Sequence, residues 1–489
     1  MRPLRWLSVA GLSALLASCA MGPDYERPVV DVPENYRAES IPGESFANLE
    51  WWELFDDPEL VRLVEMALVN NKQLAIALAR IEEARATLGF VRADMYPNLD
   101  GEFGAFRGNN ALGIPGDINE NFVLAGNLSF EVDLWGKLRR SNEAARDVLL
   151  ASVVARNVVT ITLLSDVASV YLVLLDLDQQ VEISRRTLET RQDSLDIIQA
   201  RFDKGTVPLI DVNQAQIELG DALAQLAALE RQQGLAENAL SVLLGHPPGP
   251  IERSRIGVAD TLGIPEIPVG LPSELLQRRP DVRQSEQELA AQTARIGVAE
   301  ALRWPSLSLT ASLGRSSSEL DDFLGSENKV WGVSANLLGP IFDAGRGKAR
   351  VEAERARTEQ LINAYQLTVL QAMQEVDDSL INISTFRSEA EAREQQVQAA
   401  RSAANLSRAR YDGGVTSYLE VLESERSLFR VELAASETRR AQVVSIVELY
   451  KALGGGWATD GEIEQAGSFI RATLPPGWQY LPPETPPEP

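Results

Sequence analysis

The sequence predicts a mostly α-helical chain with a membrane β component: long coiled-coil helices alternate with pairs of short amphipathic strands, and the whole unit occurs twice. Three observations carry this. First, RFDKGTVPLIDVNQAQ from Arg201 reads almost the same as RYDGGVTSYLEVLESE from Arg410, 209 residues later. ATLGFVRADMYPNL from Ala86 answers ARIGVAEALRWPSL from Ala294, and NLSFEVD from Asn127 answers NLLGPIFD from Asn336. Self-similarity at one offset marks a duplicated structural unit. Second, neither glycine nor proline interrupts the 68 residues from Lys137 to Lys204 or the 65 from Lys348 to Asp412. Ordinary helices average about 11–12 residues. Third, four segments alternate apolar and polar residues with the period of a strand.

The first 18 residues are a targeting segment: Arg2 and Arg5, an apolar run from Trp6 to Leu16, then LASC ending at Cys19. That ending resembles the lipobox of bacterial lipoproteins, which implies cleavage before Cys19 and acylation of it. A plain secretory signal with a chance cysteine is the alternative. Cys19 is the only cysteine, which excludes intrachain disulfides and thiolate metal clusters. Ala20 follows where, in lipoproteins, an aspartate would retain the protein at the inner membrane, so the outer membrane is favoured. Loss of Arg2 and Arg5 leaves 44 basic against 70 acidic residues, net −26, which argues against nucleic acid or anionic lipid as partners.

After a linker over 19–50, the first repeat spans 51–250, with strands at about 98–108 and 122–134. In FVLAGNLSFEVDL, Leu124, Leu128, Phe130, Val132 and Leu134 alternate with polar or small residues. Residues 251–272, rich in proline, join the halves. The second repeat spans 273–457, with strands at about 306–316 and 329–340. SLSLTASLG alternates most strictly there. The tail over 458–489 is acidic and proline-rich, an extended end with no assigned role. An unbroken helix of 68 residues would reach about 100 Å at 1.5 Å per residue. That suits a coiled-coil tube, and Arg156 and Asp166 interrupt the most apolar stretch, arguing against a membrane helix.

A small sheet packed on a helix would look the same in sequence as these strands. Polar loops at Gly108–Asn121 and Ser316–Asn328 instead suit the rim of a membrane barrel. A closed barrel needs at least about eight strands, and one chain offers four. Unpaired edges cannot face lipid. If the strands lie in the membrane, the chain must oligomerise, and three copies would supply twelve.

Motifs along residues 19–457 then carry a family resemblance: CAMGPDYERP, WWELFDDPEL, NNKQLAIALARIEEARA, FEVDLWGKLRR, RRPDVRQSEQEL, PIFDAGRGKAR and YKALGGGW. The chain resembles the outer-membrane efflux channels of tripartite (RND-type) exporters, the TolC-like outer membrane factors, in their lipoprotein (NodT-type) branch. The resemblance implies a homotrimer with a twelve-stranded barrel and a twelve-helix periplasmic tunnel, girdled by an equatorial belt. It implies gated passive export of drugs, toxic organics or metal ions, a periplasmic adaptor and an inner-membrane pump as partners, and no cofactor beyond the lipid on Cys19.

The two RF/YD-x-G segments read as helix–turn–helix corners, with Gly205 and Gly414 at left-handed helix ends. They are expected at the periplasmic tips. Glu420, Glu423 and Arg426 follow at spacing three, on one helix face. The resemblance makes Glu420 and Glu423 constriction acids and Leu419 an apolar plug. It makes Tyr411 and Asp211 a tyrosine–aspartate tie, with Arg426 in the same network. Glutamates stand where aspartates are common, implying a narrower or more mobile ring, and Thr416 replaces a gating arginine, so that link is absent. An ordinary solvated Glu423–Arg426 pair is the bland alternative.

Enzyme chemistry finds little support. His246, the only histidine, lies in LLGHPPGP at a helix end, where a turn or cap role is expected. The usual histidine triads and zinc sites have no second histidine to use. A periplasm-spanning coiled-coil lipoprotein without transport is the rival reading. It gives no reason for the amphipathic strands.

Overall fold

The computed structural model describes residues 20–37, 56–111, 114–254, 258 and 275–455. The signal, Cys19, residues 38–50 of the linker, nearly all of the 255–272 part of the inter-repeat segment and the tail from 458 lie outside the described residues. In chain order the elements are α1 (Pro58–Asn70), α2 (Lys72–Ala93), β1 (Asn98–Ala111), β2 (Ile114–Val132), α3 (Lys137–Asp203) and α4 (Leu209–Leu243). After them come α5 (Leu275–Arg278), α6 (Pro280–Ala301), β3 (Ser306–Ser317), β4 (Lys329–Leu338), α7 (Arg346–Asp412) and α8 (Tyr418–Ala452). The lengths recur in pairs: α2 and α6 have 22 residues, α3 and α7 have 67, α4 and α8 have 35. Left-handed glycines fall at the same joints in both halves: Gly136 and Gly345, Gly205 and Gly414, Gly245 and Gly454.

By contact the chain forms two compact units. The first gathers Met1–Asp31, Gln73–Val158 and Pro280–Leu370. Its centre is a four-stranded antiparallel sheet in the order β1-β2-β3-β4. Register sorts the side chains by polarity, because paired residues share a face and successive ones alternate. One row joins Leu99, Leu128, Ala311 and Val333, and the next row on that face joins Gly101, Gly126, Leu313 and Trp331. On the other face one row joins Asn98, Ser129, Thr310 and Ser334, and the next joins Asp100, Asn127, Ser312 and Gly332. Polar contacts knit the second face: the Thr310 and Ser334 hydroxyls meet at 2.7 Å, and Asn127 Nδ2 donates to Glu102 at 2.9 Å. On the apolar face Leu99, Leu313, Trp331 and Val333 are each more than 70% exposed.

The first hairpin is longer than the sequence predicts. The segment expected as the loop Gly108–Asn121 continues the ladder to Ala111↔Ile114, with a register shift between Gly108 and Asn110. Backbone pairing does not depend on side-chain polarity, and Arg107 bridges to Glu120 across the strands at 3.1 Å. In the second hairpin β4 stops at Leu338, short of 340, where Gly339 and Pro340 follow and proline has no N–H to give the ladder.

Also in this unit, residues 20–27 are strapped to the body. Met21 N donates to Trp135 O at 3.0 Å, and Arg140 donates to Met21 O and Asp24 at 3.1 and 2.7 Å. Arg27 grips Glu286 with two bonds of 2.7 Å, and Tyr25 adds a third of 3.2 Å. Trp135 Nε1 donates to Pro305 O at 2.8 Å, and its ring lies 5.1 Å from that of Trp304.

The second unit gathers Val32–Lys72, Val159–Arg279 and Gln371–Pro489. Asp57 caps α1 by accepting from Glu59 N at 2.9 Å, and Pro58 occupies the first turn, where its missing N–H is harmless. The same carboxylate accepts from Tyr171 at 2.7 Å and Ser254 at 2.6 Å, and burial pushes the Tyr171 hydroxyl up to about 12. By length and composition α3 contains a stretch apolar enough to cross a membrane. Half of that stretch is buried, and Val167, Ala168, Tyr171 and Leu172 of α3 are fully so, which accounts for that half as core packing. His246 serves as expected of a helix end: its N–H donates to Ser241 O at 3.0 Å just past α4.

Candidate gate at the helix corners

Both corners belong to the second unit and are closed by the same device. In the first, Gly205 N donates to Phe202 O at 2.8 Å and Thr206 N to Arg201 O at 3.0 Å. In the second, Gly414 N donates to Tyr411 O and Val415 N to Arg410 O, both at 2.9 Å. These are Schellman closures, which need a left-handed residue; Gly205 and Gly414 have φ of 72° and 71°. A Cβ at either would touch nothing, so the backbone sign alone selects glycine. The α4 and α8 N-termini have no side-chain cap, and Asp211 and Glu420 supply the first-turn negative charge.

Beside the corners, one core joins four helices: Ile198 of α3, Val212 and Ala215 of α4, and Tyr418, Val421 and Leu422 of α8, with Phe202 and Tyr411 packed against them. Burial pushes the Tyr418 hydroxyl up to about 12.

A layer of arginine–carboxylate contacts sits on this core. Glu218 of α4 is 3% exposed. It accepts from Arg426 Nε of α8 at 2.5 Å and lies 3.2 Å from Arg191 Nη2 of α3, whose Nη1 also donates to the Glu218 carbonyl at 2.6 Å. Arg408 of α7 donates to Ser194 at 2.8 Å and to Glu425 at 2.7 Å. Burial pushes the Glu425 carboxyl up, and Arg408 opposes that shift. Arg201 of α3 meets Asp412 at 3.3 Å and lies 4.8 Å over the Tyr411 ring. Beside the corners, Arg426–Glu218, Arg408–Ser194 and Arg201–Asp412 cross from the α3–α4 pair to the α7–α8 pair, as does Arg201 over the Tyr411 ring.

The residues expected to form the gate are placed as follows. Leu419 is exposed at 56%. Glu420, expected as a constriction acid, accepts from Thr416 Oγ1 at 2.5 Å and faces Arg410 Nε at 3.4 Å, so Thr416 is engaged within its own corner. Glu423 is exposed, and Arg426 bonds to Glu218 instead of pairing with it. The Glu218 bond, helped by the Glu423 charge, holds the Arg426 guanidinium above its usual value. The expected Tyr411–Asp211 tie is not formed: the Tyr411 hydroxyl is buried and has no partner among the described residues. Tyr411 packs instead against Tyr418, with ring centroids 5.5 Å apart, and burial pushes the Asp211 carboxyl up. Cys19 lies outside the described residues.

Sequence reasoning missed Glu218, Arg191 and Arg408. A signal existed for the first: Val212, Ala215, Glu218 and Ala222 fall at helical spacing on one buried stripe of α4. A lone carboxylate on an apolar stripe must be paired, and that spacing could have been read.

The comparisons agree with this architecture. The family profile described as "Outer membrane efflux protein" matches residues 63–246 and 271–455. The chain is 32% identical over 445 residues to the cation efflux system protein CusC of Escherichia coli (strain K12), covering 90% of this chain and 97% of that one. It is 33% identical over 465 residues to the pyoverdine export outer membrane protein OpmQ of Pseudomonas aeruginosa, covering 93% and 97%. Its structure is similar to the crystal structure of the open state of the Neisseria gonorrhoeae MtrE outer membrane channel, with a TM-score of 0.81, 30% identity and coverage of 90% and 98%.

Proposed function

The chain belongs to the outer membrane efflux protein family, and from that premise we propose that three copies enclose one gated duct. It is an outer-membrane channel and forms the exit of a tripartite efflux pump. The observation that carries the trimer is the sheet: one face apolar and exposed, the other polar, and β1 and β4 each with one edge unpaired among the described residues. Lipid would cover the apolar face, but no lipid can satisfy the edges. Two copies would make eight strands, an interior that side chains fill; three make twelve and leave a lumen. The polar rows through Asn127 and Thr310 then line water. The paired helix lengths and the left-handed glycines at matching joints support two copies of one unit in each chain.

Acylation of Cys19 fits the strap. Ala20 lies against Gly136, so the lipidated residue would emerge beside the strand exits, near the Trp135–Trp304 pair. Tryptophan favours the membrane–water boundary, and acyl chains there would add about 0.8 kcal/mol per buried methylene.

The corners are the gate. In each copy the closed state is held by the contacts between helix pairs, with Leu419, Glu420 and Glu423 presented to the axis. A periplasmic adaptor that binds the separated pairs more tightly shifts the population towards open, by no more than its difference in affinity for the two states. Cargo is set upstream. CusC and OpmQ are named for cations and for pyoverdine, yet this chain is about equally similar to both, so a channel of this kind passes what its inner-membrane pump delivers. Light scattering of the detergent-extracted protein together with planar-bilayer recording tests the reading. Three chains per particle and discrete current steps are expected. A silent monomer refutes it.

A further inference from the structure

The chain is strongly acidic, −24 overall, yet one recess in the second unit has the opposite sign. It lies between α3, α7 and α8, encloses about 400 Å³, and is lined among others by Arg186, Thr190, Arg191, Arg401, Phe429 and Glu432. Arg186 and Arg401 both point one Nη2 at the same carboxylate, Glu432, at 2.9 and 2.8 Å. That carboxylate is 8% exposed, while the two arginine side chains are 57% and 58% exposed. Two guanidinium charges thus share one buried negative charge. The other charges of the lining are already matched: Arg191 by Glu218, with the Phe429 ring 5.5 Å away, and Glu425 by Arg408.

We propose that this recess binds a small oxyanion, a phosphate or carboxylate group, through Arg186 and Arg401. A guanidinium carries several N–H donors in a planar fork that fits such groups, and each arginine gives Glu432 only one. Exposed arginine–carboxylate pairs are usually weak because ordering two long side chains offsets the attraction. Here Glu432 has already fixed both heads in convergent positions, so the ordering is complete before the guest arrives. The surplus charge gives the guest its binding energy, and the recess has room for it.

The same chemistry could come from a free anion or from an acidic side chain of a neighbouring copy, and a titration separates these. The full-length protein in detergent is titrated calorimetrically with inorganic phosphate, and separately with acetate, at fixed ionic strength. Saturable binding of one anion per chain is expected. The double variant Arg186→Gln/Arg401→Gln should bind at least ten-fold more weakly. Glu432→Gln keeps an amide oxygen that still accepts from the arginine heads but removes the competing charge, so it should bind more tightly, a gain that misfolding cannot produce. No saturable heat with either anion, as a recess filled by a neighbour's carboxylate would give, overturns the proposal. So does undiminished binding by the double variant, or a Glu432→Gln protein that binds no better than wild type.

Discussion

Replacing Glu218 by glutamine should unlatch the corner without emptying its core. The side chain keeps its length and volume, so the packing of Val212, Ala215 and Leu422 is preserved. What goes is one charge that touches two arginines. The Arg191 contact lies within the α3–α4 pair and persists if the pairs separate as rigid bodies, so it contributes alike to both states and cancels. Only the Arg426 contact crosses between pairs. Hydrogen bonds to charged groups contribute about 1.5–3 kcal/mol. The Arg426 side chain is 44% exposed, and water would replace part of the loss, which points to the low end, about 2 kcal/mol. At 1.4 kcal/mol per factor of ten, the open-to-closed ratio rises about 30-fold per copy. Single-channel recording in planar bilayers reads this directly. Glu230→Gln is the control: Glu230 pairs with Arg185 at 2.9 Å, exposed and within one helix pair, and should leave the currents unchanged. Intact Glu218→Gln trimers with wild-type currents, or an equal rise in the control, would refute the latch.

Other substitutions probe separate links. Tyr411→Phe should raise the open ratio by much less than Glu218→Gln, under about ten-fold, because its hydroxyl makes no bond among the described residues; a larger rise in the same recordings would reveal a tie between copies. Gly414→Ala forces a left-handed φ on a Cβ residue and should destabilise the second corner by about 1–2 kcal/mol, measured as faster proteolysis between α7 and α8. A methyl at Gly297 would come within 2.4 Å of the Met21 carbonyl, so Gly297→Ala should free the N-terminal strap, seen as cleavage near Arg27 by trypsin. Burial raises the Asp147 carboxyl from 3.8 to about 6. A carboxylate raised on folding destabilises the fold above the raised value, and the penalty fades as pH falls from about 6 towards 3.8. Asp147→Asn should therefore stabilise the protein by about 1–2 kcal/mol at pH 7, after discounting for partial exposure, and by almost nothing near pH 3 in denaturant titrations.

The long helices and the corners were legible in the letters because both depend on local backbone physics. Lys137 to Asp203 lacks any breaker, and Gly205 and Gly414 answer a steric demand that only glycine meets cheaply. Strand polarity was legible too, since alternation at period two belongs to the strand itself; the hairpin's reach to Ala111 was not, because ladder pairing ignores side-chain polarity. The ion-pair layer needed the tertiary structure. Glu423 and Arg426 stand at helical spacing, yet Arg426 reaches Glu218, 208 positions away in the chain. Spacing along one helix says which residues share a face. Which charge another helix brings to that face depends on how the helices pack, and no local rule encodes that choice.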